Sequence, residues 1–384
     1  MSKLHEVSAQ GQSIWLDNLR RDLVSGGELQ RFVTEDAVTG VTSNPTILAA
    51  AISDSSDYDA HVAARARQGA SVDELYVDLV AQDIRDACDV LRPVWERAAG
   101  TDGFVSVEVS PAVSDDADAT VAEARDWIKR IDRENLLVKV PANETGLTAI
   151  RRLTAEGVSV NVTLIFSLDR YRAVADAYVS GLESFVASGG DPSRVVSFAS
   201  FFVSRVDTEV DRRLTHLSGH ASLTDGRRIA DLRGKAGIAN ARVAYGLFQD
   251  VVSSERWLRL AHRGARVQQP LWASTGVKDP AYRDTMYVEE LIAPQTVNTL
   301  PEATIRAFQD HGDPGVGPFG DDAVLRARKV LESLGEFGVN LNDVTAQLER
   351  EGIEKFARSF MKLRHRLQEE LAAASASLDR GGKR

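Results

Sequence analysis

Polar side chains alternate with valines in three short segments of the sequence, at residues 104–110, 136–141 and 158–166. Because side chains alternate between the two faces of a strand, the valines of each segment share one face and the polar residues share the other. We expect the valine faces, with Leu164 of the third segment, to pack against helices. The polar faces hold Ser106, Glu108, Ser110, Lys139, Ser159, Asn161 and Thr163, and we expect Glu108, Lys139, Asn161 and Thr163 to converge on one site.

A lysine on such a face can act as a covalent catalyst. An unprotonated amine attacks a ketone and forms an iminium, which draws electrons and lets the bond beyond the adjacent carbon break. Carboxylates must then move protons to and from the hydroxyls. Asp17, at the end of segment 13–17, can serve as the base for bond cleavage, and Glu108 can activate the water that forms and hydrolyses the iminium.

The same residues also allow an interpretation without catalysis, in which Lys139 and Glu108 form a buried ion pair that only fills the interior of the fold. Desolvation cancels much of the attraction in such a pair, so burial gains little stability. A single pair would favour this reading. A lysine, a glutamate, an asparagine and a threonine on adjacent strands favour a functional site instead, because such sites are where unfavourable burial is tolerated.

The elements that must position these residues follow a repeated strand-then-helix order. We predict eight strands, at residues 13–17, 38–43, 104–110, 136–141, 158–166, 195–203, 265–273 and 286–292. Repeated βα units form a parallel sheet, and eight of them suit a closed barrel. The predicted fold class is therefore α/β, a (β/α)8 TIM barrel, in which active sites lie at the carboxyl ends of the strands.

Three intervals are longer than one helix requires. Residues 45–103 should hold at least two helices, with Pro45 suited to a first helical position. The charged residues 205–264 predict a helical insertion after the sixth strand, at the top of the barrel. Residues 302–384 predict a C-terminal helical extension, and we interpret 1–384 as a single domain. The extension carries an apolar stripe that should dock on the barrel or on a partner, formed by Ile353, Phe356, Phe360, Leu363 and Leu367.

Composition limits the partners and the compartment that we expect. The net charge of −10 argues against a sequence-independent nucleic-acid binder, which needs a basic face, but a few local cations would suffice for an anionic substrate. The N-terminus lacks the apolar run of a secretory signal, and no stretch is long enough to span a bilayer, so we expect a cytoplasmic protein without a membrane partner. The single cysteine, Cys88, excludes an intrachain disulfide and lies at helical spacing from Ile84 and Leu91, as a core residue would.

The motifs around the candidate residues resemble the transaldolase family, in its longer actinobacterial form, over roughly residues 11–370. Any one motif alone would be weak, whereas together they are highly specific. They are IWLDNLRR around Asp17, GVTSNPTIL around Asn44, VSVEVSP around Glu108, LLVKVPAN around Lys139, VNVTLIFS around Asn161 and Thr163, and SFFVSRVD around Ser200 and Arg205.

The resemblance implies a transferase of the non-oxidative pentose phosphate pathway. Such an enzyme moves a dihydroxyacetone unit from sedoheptulose 7-phosphate or fructose 6-phosphate to glyceraldehyde 3-phosphate or erythrose 4-phosphate. Lys139 would attack C2 of the ketose, and Asp17 would take the C4 hydroxyl proton as the C3–C4 bond breaks. Glu108, with Thr163 holding the catalytic water, would serve the Schiff-base steps. No metal and no organic cofactor is expected, since the lysine itself is the electrophilic catalyst.

The resemblance also implies which residues bind the sugar phosphate. Asn44, Asn161 and Ser200 would hydrogen-bond the three-carbon unit, with Thr42 beside them, and Arg205 would meet the phosphate. The family's second phosphate contact is a Ser-x-Arg after the seventh strand. Here the segment reads WASTGVKDP, without an arginine, so we expect Ser274 to be kept and the charge to come from Lys278.

Two alternatives to a transaldolase stay open. A fructose 6-phosphate aldolase would form the same enamine but release free dihydroxyacetone; the resemblance implies that this branch lacks a glutamate at the position of Glu108. A non-catalytic barrel would be expected to have lost the lysine or a carboxylate, and the sequence keeps Lys139, Asp17 and Glu108. The apolar stripe fits either a monomer or a homodimer.

Overall fold

The computed structural model describes residues 2–43, 45–219, 221–316 and 319–381 of the 384-residue chain. Its parallel strands close into a barrel in the order of the chain, which confirms the predicted (β/α)8 fold. The strands are β1 (Gln12–Leu16), β2 (Val38–Thr42), β3 (Val105–Glu108), β4 (Leu136–Pro141), β5 (Val160–Ile165), β6 (Ser197–Phe202), β7 (Gln268–Ala273) and β8 (Thr296–Leu300).

Helices surround the barrel and fill the three long intervals as the sequence predicts. Among the described residues, no helix combines the length and the apolar character that a membrane crossing requires. The helices are α1 (Lys3–Ala9), α2 (Arg21–Ser25), α3 (Glu28–Glu35), α4 (Pro45–Asp54), α5 (Asp59–Arg67), α6 (Val72–Arg97), α7 (Ala117–Ile131), α8 (Glu144–Ala155), α9 (Leu168–Ala187), α10 (Ser204–Ser218), α11 (Leu223–Leu232), α12 (Ala236–Ser253), α13 (Glu255–Ala261), α14 (Met286–Glu289), α15 (Glu302–His311), α16 (Asp321–Glu336) and α17 (Leu341–Gly381).

An apolar layer fills the lower part of the barrel. Trp15 packs there against Phe198, with ring centroids 4.7 Å apart, and its indole N–H donates to Asp102 at 2.9 Å. Gly40 on β2 lies directly against the indole, since a Cβ at this position would come within 2.4 Å of the ring. Above this layer, polar residues of the strands, among them Glu108 and Lys139, line a cavity at the carboxyl ends.

The prediction of a strand at 286–292 is wrong. Residues Met286–Glu289 form α14, and the eighth strand is Thr296–Leu300. The buried apolar residues at 287, 288, 291 and 292 recur at a spacing that suits a helical turn as well as a strand. The real strand escapes the pattern because Thr296 and Asn298 face the helices, where their side chains donate to the main-chain carbonyls of Ala293 and Tyr287.

The expectation that Leu164 faces the helices is also wrong. Val162 and Ile165 pack against the outer helices, but the register of β5 against β6 shifts between them. Leu164 adopts a left-handed backbone conformation, with φ of 61°, and its side chain lines the cavity at the barrel mouth. Bulges of this kind re-aim side chains at barrel rims, and nothing in the alternating pattern marks one.

The C-terminal stripe docks within the chain. In the 41-residue α17, Phe360, Leu363 and Leu367 are buried in the cluster that includes α6. The ring of Phe360 meets Tyr76 of α6 edge-on, with centroids 5.2 Å apart. One turn before Phe360, the same helix passes over the barrel mouth, where Phe356 contributes to the cavity wall.

Candidate active site

A cavity of about 300 Å³ opens at the carboxyl ends of the strands, where active sites of this fold are found. Each strand contributes to it, either through a residue near its carboxyl end or through a residue that follows the strand. In chain order these are Asp17, Thr42, Glu108, Lys139, Thr163, Ser200, Ser274 and Thr299.

Lys139 and Glu108 lie side by side because β3 and β4 pair in register at these two residues. The Lys139 Nζ is 3.8 Å from the Glu108 Oε2, and the two side chains are only 11% and 9% exposed. The Nζ also lies 3.5 Å from the main-chain carbonyl oxygen of Ser43. The amine is thus held beside a carboxylate on the cavity wall, where an incoming ketone can reach it.

Burial raises the pKa of Glu108 above its ordinary range. The negative charge of Asp17 raises this pKa further, while Lys139 and Arg205 lower it. A carboxyl group whose pKa is moved toward neutrality can both give and take a proton. The pKa of Glu108 is thus shifted in the direction that favours a proton shuttle between water and a reacting nitrogen.

Asp17 is fixed at the mouth by its neighbours on both sides. Its main-chain N–H donates to the carbonyl of Leu300 at 2.8 Å. Its carboxylate accepts a hydrogen bond of 3.1 Å from Thr42, whose hydroxyl also lies 2.9 Å from that of Thr299. Asp17 and Glu108 thus approach the cavity from different strands, so that they can act on different atoms of one substrate.

Asn161 is fully buried and does not belong to the described lining of the cavity. Its amide nitrogen donates to the hydroxyl of Ser106 at 3.0 Å, and its amide oxygen accepts from Ser200 at 2.7 Å. Ser200 reaches the cavity, whereas Asn161 lies one layer beneath it. In this structure Asn161 orients Ser200.

Cationic residues gather on the side of the cavity formed by β6 and β7. Arg205 lies in the first turn of α10, where the helix dipole also favours an anion, and its guanidinium carbon is 4.9 Å from the ring centroid of Phe202. Burial lowers the pKa of Arg205 while Asp17 and Glu108 raise it, and a guanidinium stays charged at neutral pH. Ser274, whose hydroxyl is 3.0 Å from that of Ser204, and Lys278 line the same side.

The structure thus places nine of the predicted site residues on the cavity and Asn161 beneath it, while Asn44 lies outside the described residues. The sequence analysis missed other parts of the wall. Thr299 was missed with β8, and Leu164 with the bulge. The docking position of α17 could not be read from its stripe, so the wall residues Gly352, Lys355 and Ser359 were missed as well.

Comparison with known proteins agrees with this geometry. The model of the family described as Transaldolase/Fructose-6-phosphate aldolase matches residues 14–367. A protein named Transaldolase from Saccharopolyspora erythraea is 51% identical, over 97% of this chain and 99% of the relative. Proteins of the same name from Mycolicibacterium paratuberculosis and Thermobifida fusca are each 48% identical over 97% of this chain, covering 98% and 99% of their own lengths. These matches confirm the resemblance: the chain belongs to the transaldolase/fructose-6-phosphate aldolase family.

Proposed function

We propose that this protein is a transaldolase that carries a dihydroxyacetone unit between sugar phosphates as a Schiff base on Lys139. The observation that carries the proposal is the juxtaposition of the Lys139 amine and the Glu108 carboxylate, 3.8 Å apart in a cavity that also holds Asp17 and Arg205. A structural ion pair would need no cavity and no second carboxylate. Family membership and relatives named Transaldolase at about half identity support the same reaction.

In the first half of the reaction, the amine of Lys139 adds to C2 of fructose 6-phosphate or sedoheptulose 7-phosphate. The resulting carbinolamine must lose its hydroxyl as water, and Glu108 supplies the proton. The raised pKa of Glu108 suits this step, since the group must be protonated to donate and ionised to take the proton back. Thr163, on the same wall, holds the water that carries the proton between Glu108 and the carbinolamine on Lys139.

In the second half, Asp17 takes the proton of the C4 hydroxyl and the C3–C4 bond breaks. The electron pair of that bond moves into the iminium and leaves an enamine on Lys139, while an aldose phosphate departs. An acceptor aldehyde phosphate then enters, the enamine attacks its carbonyl carbon, and Asp17 returns the proton. Hydrolysis through Glu108 releases the new ketose.

The remaining predicted residues hold the substrate in this scheme. Ser200 and, by family resemblance, Asn44 bind the three-carbon unit, with Asn161 acting through Ser200, while Thr42 orients Asp17. Arg205, Ser274 and Lys278 receive the phosphate, which therefore points away from the carboxylates. We further propose the cytoplasm as the compartment, because charged sugar phosphates do not leave the membrane-bounded space in which they are made.

The test is trapping with borohydride in the presence of fructose 6-phosphate, followed by peptide mass spectrometry. We expect a reduced three-carbon adduct on Lys139 and none on Lys278, which lines the same cavity and serves as the internal comparison. An adduct on another lysine, or activity that persists in Lys139→Met, would contradict the mechanism.

The family also contains fructose 6-phosphate aldolases, so the fate of the enamine must be measured separately. A transaldolase should release little free dihydroxyacetone from fructose 6-phosphate, and should form sedoheptulose 7-phosphate when erythrose 4-phosphate is added as the acceptor. Steady release of free dihydroxyacetone without an acceptor would favour the aldolase.

A further inference from the structure

Cations from three separate elements meet at the mouth of the active-site cavity. Arg205 comes from the start of α10 and Lys278 from the loop after β7, both parts of the barrel. The third, Lys355, comes from α17 in the C-terminal extension. No sequence motif connected this lysine with the site.

The position of Lys355 is set by how α17 packs on the barrel rim. Gly352, Lys355, Phe356 and Ser359 line the cavity at a spacing of three and four residues, so they share one face of the helix. Gly352 lies so close to β5 that a Cβ there would be 3.2 Å from the Leu164 side chain. Lys355 is therefore held over the mouth between two packed residues of α17. Gly352 packs on Leu164 of β5, and Phe360 packs on Tyr76 of α6.

The charged groups that act on the amine of Lys355 are positive. Repulsion from Arg205 is the largest influence that lowers the pKa of Lys355, followed by burial and by repulsion from Lys278 and Arg358. Every charged group that shifts the pKa of Lys355 is thus a cation. Like charges held together in a partly enclosed mouth raise the local affinity for an anion, and a phosphate with two negative charges would relieve the repulsion.

We propose that Lys355 binds the phosphate of the sugar substrate, so that the C-terminal helix takes part in selecting phosphorylated substrates. The inference rests on the proposed function, because it assigns a further residue to the same reaction. Lys355 acts on the distal end of the substrate, away from Lys139, and should affect binding of the phosphate without affecting Schiff-base chemistry.

The experiment compares Lys355→Gln with Lys362→Gln, a matched change at an exposed lysine about 10 Å further along the same helix and outside the described cavity wall. Acceptor kinetics are measured with erythrose 4-phosphate and with unphosphorylated erythrose, at saturating fructose 6-phosphate. We expect Lys355→Gln to lower the ratio of the two kcat/KM values roughly tenfold, through a raised KM for erythrose 4-phosphate. Inorganic phosphate should also inhibit this variant more weakly, and Lys355→Arg should restore most of the ratio.

Each outcome decides the question. An unchanged ratio in Lys355→Gln, with the three-carbon adduct still trapped on Lys139, would overturn this inference and leave the proposed function standing. Equal losses for both acceptors would also overturn it, since they would show a general effect of α17 on the site. If the wild-type protein gives no adduct with fructose 6-phosphate, the proposed function falls and takes this inference with it.

Discussion

Lys139 and Glu108 occupy a place where burial opposes both of their charges. A buried pair of this kind gains little stability by itself, because desolvation offsets the attraction between the partners. The pair is also not tightly closed, since 3.8 Å separates the Nζ from the Oε2. A loose pair facing a cavity can exchange its partner for a substrate, whereas a pair that served packing alone would be expected to close.

The two carboxylates should fail in different ways when they are neutralised. Asp17→Asn should still form the Schiff base with fructose 6-phosphate but stall before the aldose leaves, so borohydride should trap mainly a six-carbon adduct. Glu108→Gln should slow the appearance of any adduct, since carbinolamine dehydration loses its proton donor, by about 10²–10⁴-fold. The measurement is the mass and rate of the trapped adduct on Lys139.

The comparison between these two variants contains its own control. If both residues only supported Lys139 structurally, both variants would lose stability to a similar degree and accumulate the same adduct at the same rate. That result would contradict the division of labour between Asp17 and Glu108 even if the enzyme proved to be a transaldolase.

Arg205 should read the phosphate rather than the reacting carbons. Arg205→Ala is expected to raise the KM for glyceraldehyde 3-phosphate far more than that for glyceraldehyde, because the lost charged hydrogen bonds are worth about 1.5–3 kcal/mol, or roughly 10–150-fold. Steady-state kinetics with the two acceptors measures this difference. Similar losses for both would mean that Arg205 supports the cavity without contacting phosphate.

At the scale of elements, α10 depends on a buried carboxylate two residues beyond Arg205. Asp207 accepts hydrogen bonds from the N–H of Gly237, at the start of α12, at 2.7 Å and from the hydroxyl of Tyr287 at 2.8 Å. Burial is the largest cause that raises the pKa of Asp207 from 3.8 to about 6, and the charge of Asp211 adds to it. The helix that presents Arg205 is thus tied to its neighbours by a group that titrates just below neutrality.

This raised pKa predicts the pH dependence of stability. The folded chain binds the Asp207 proton more tightly than the unfolded chain, so stability from this group is fully present below about pH 4 and is lost as pH rises through about 6. Asp207→Asn cannot titrate at this position, so its free energy of unfolding should gain on that of the wild type by about 2 kcal/mol between pH 4 and pH 7. Urea unfolding of both proteins across this range tests the prediction, and parallel curves would refute it.

The individual elements also show which parts of the fold can be predicted from the sequence alone. Strands β3, β4 and most of β5 were predictable, with the direction of Lys139 and Glu108, because valines and polar residues alternate where one face meets helices and the other meets a polar cavity. That contrast vanishes in β8, where Thr296 faces the helices, and at Leu164, where the chain bulges. The stripe of α17 was visible, but what it docks on depends on contacts with residues far away in the sequence.

At the scale of the whole molecule, the C-terminal extension shares a hydrophobic cluster with the barrel. Phe360, Leu363 and Leu367 are buried in the same cluster as residues of β2 and β3. The buried stripe of the extension therefore contributes to stability. The preceding turns of α17, which form part of the cavity wall, contribute to the site. We propose on this basis that residues 1–384 fold as one domain.

A substitution in α17 can test whether the extension and the barrel unfold together. Leu363 is fully buried, so Leu363→Ala should cost about 2–5 kcal/mol, whereas Leu325→Ala on α16, where the leucine is 58% exposed, should cost far less. All five tryptophans lie before α17, and Trp127 shares a cluster with Leu363, so their fluorescence reports mainly on the rest of the chain, while circular dichroism reports on all helices. One domain requires Leu363→Ala to shift both urea transitions together and by the same amount. If the circular dichroism changed in a separate early step while the fluorescence midpoint stayed at its wild-type value, the extension would be a separate unit that merely rests on the barrel.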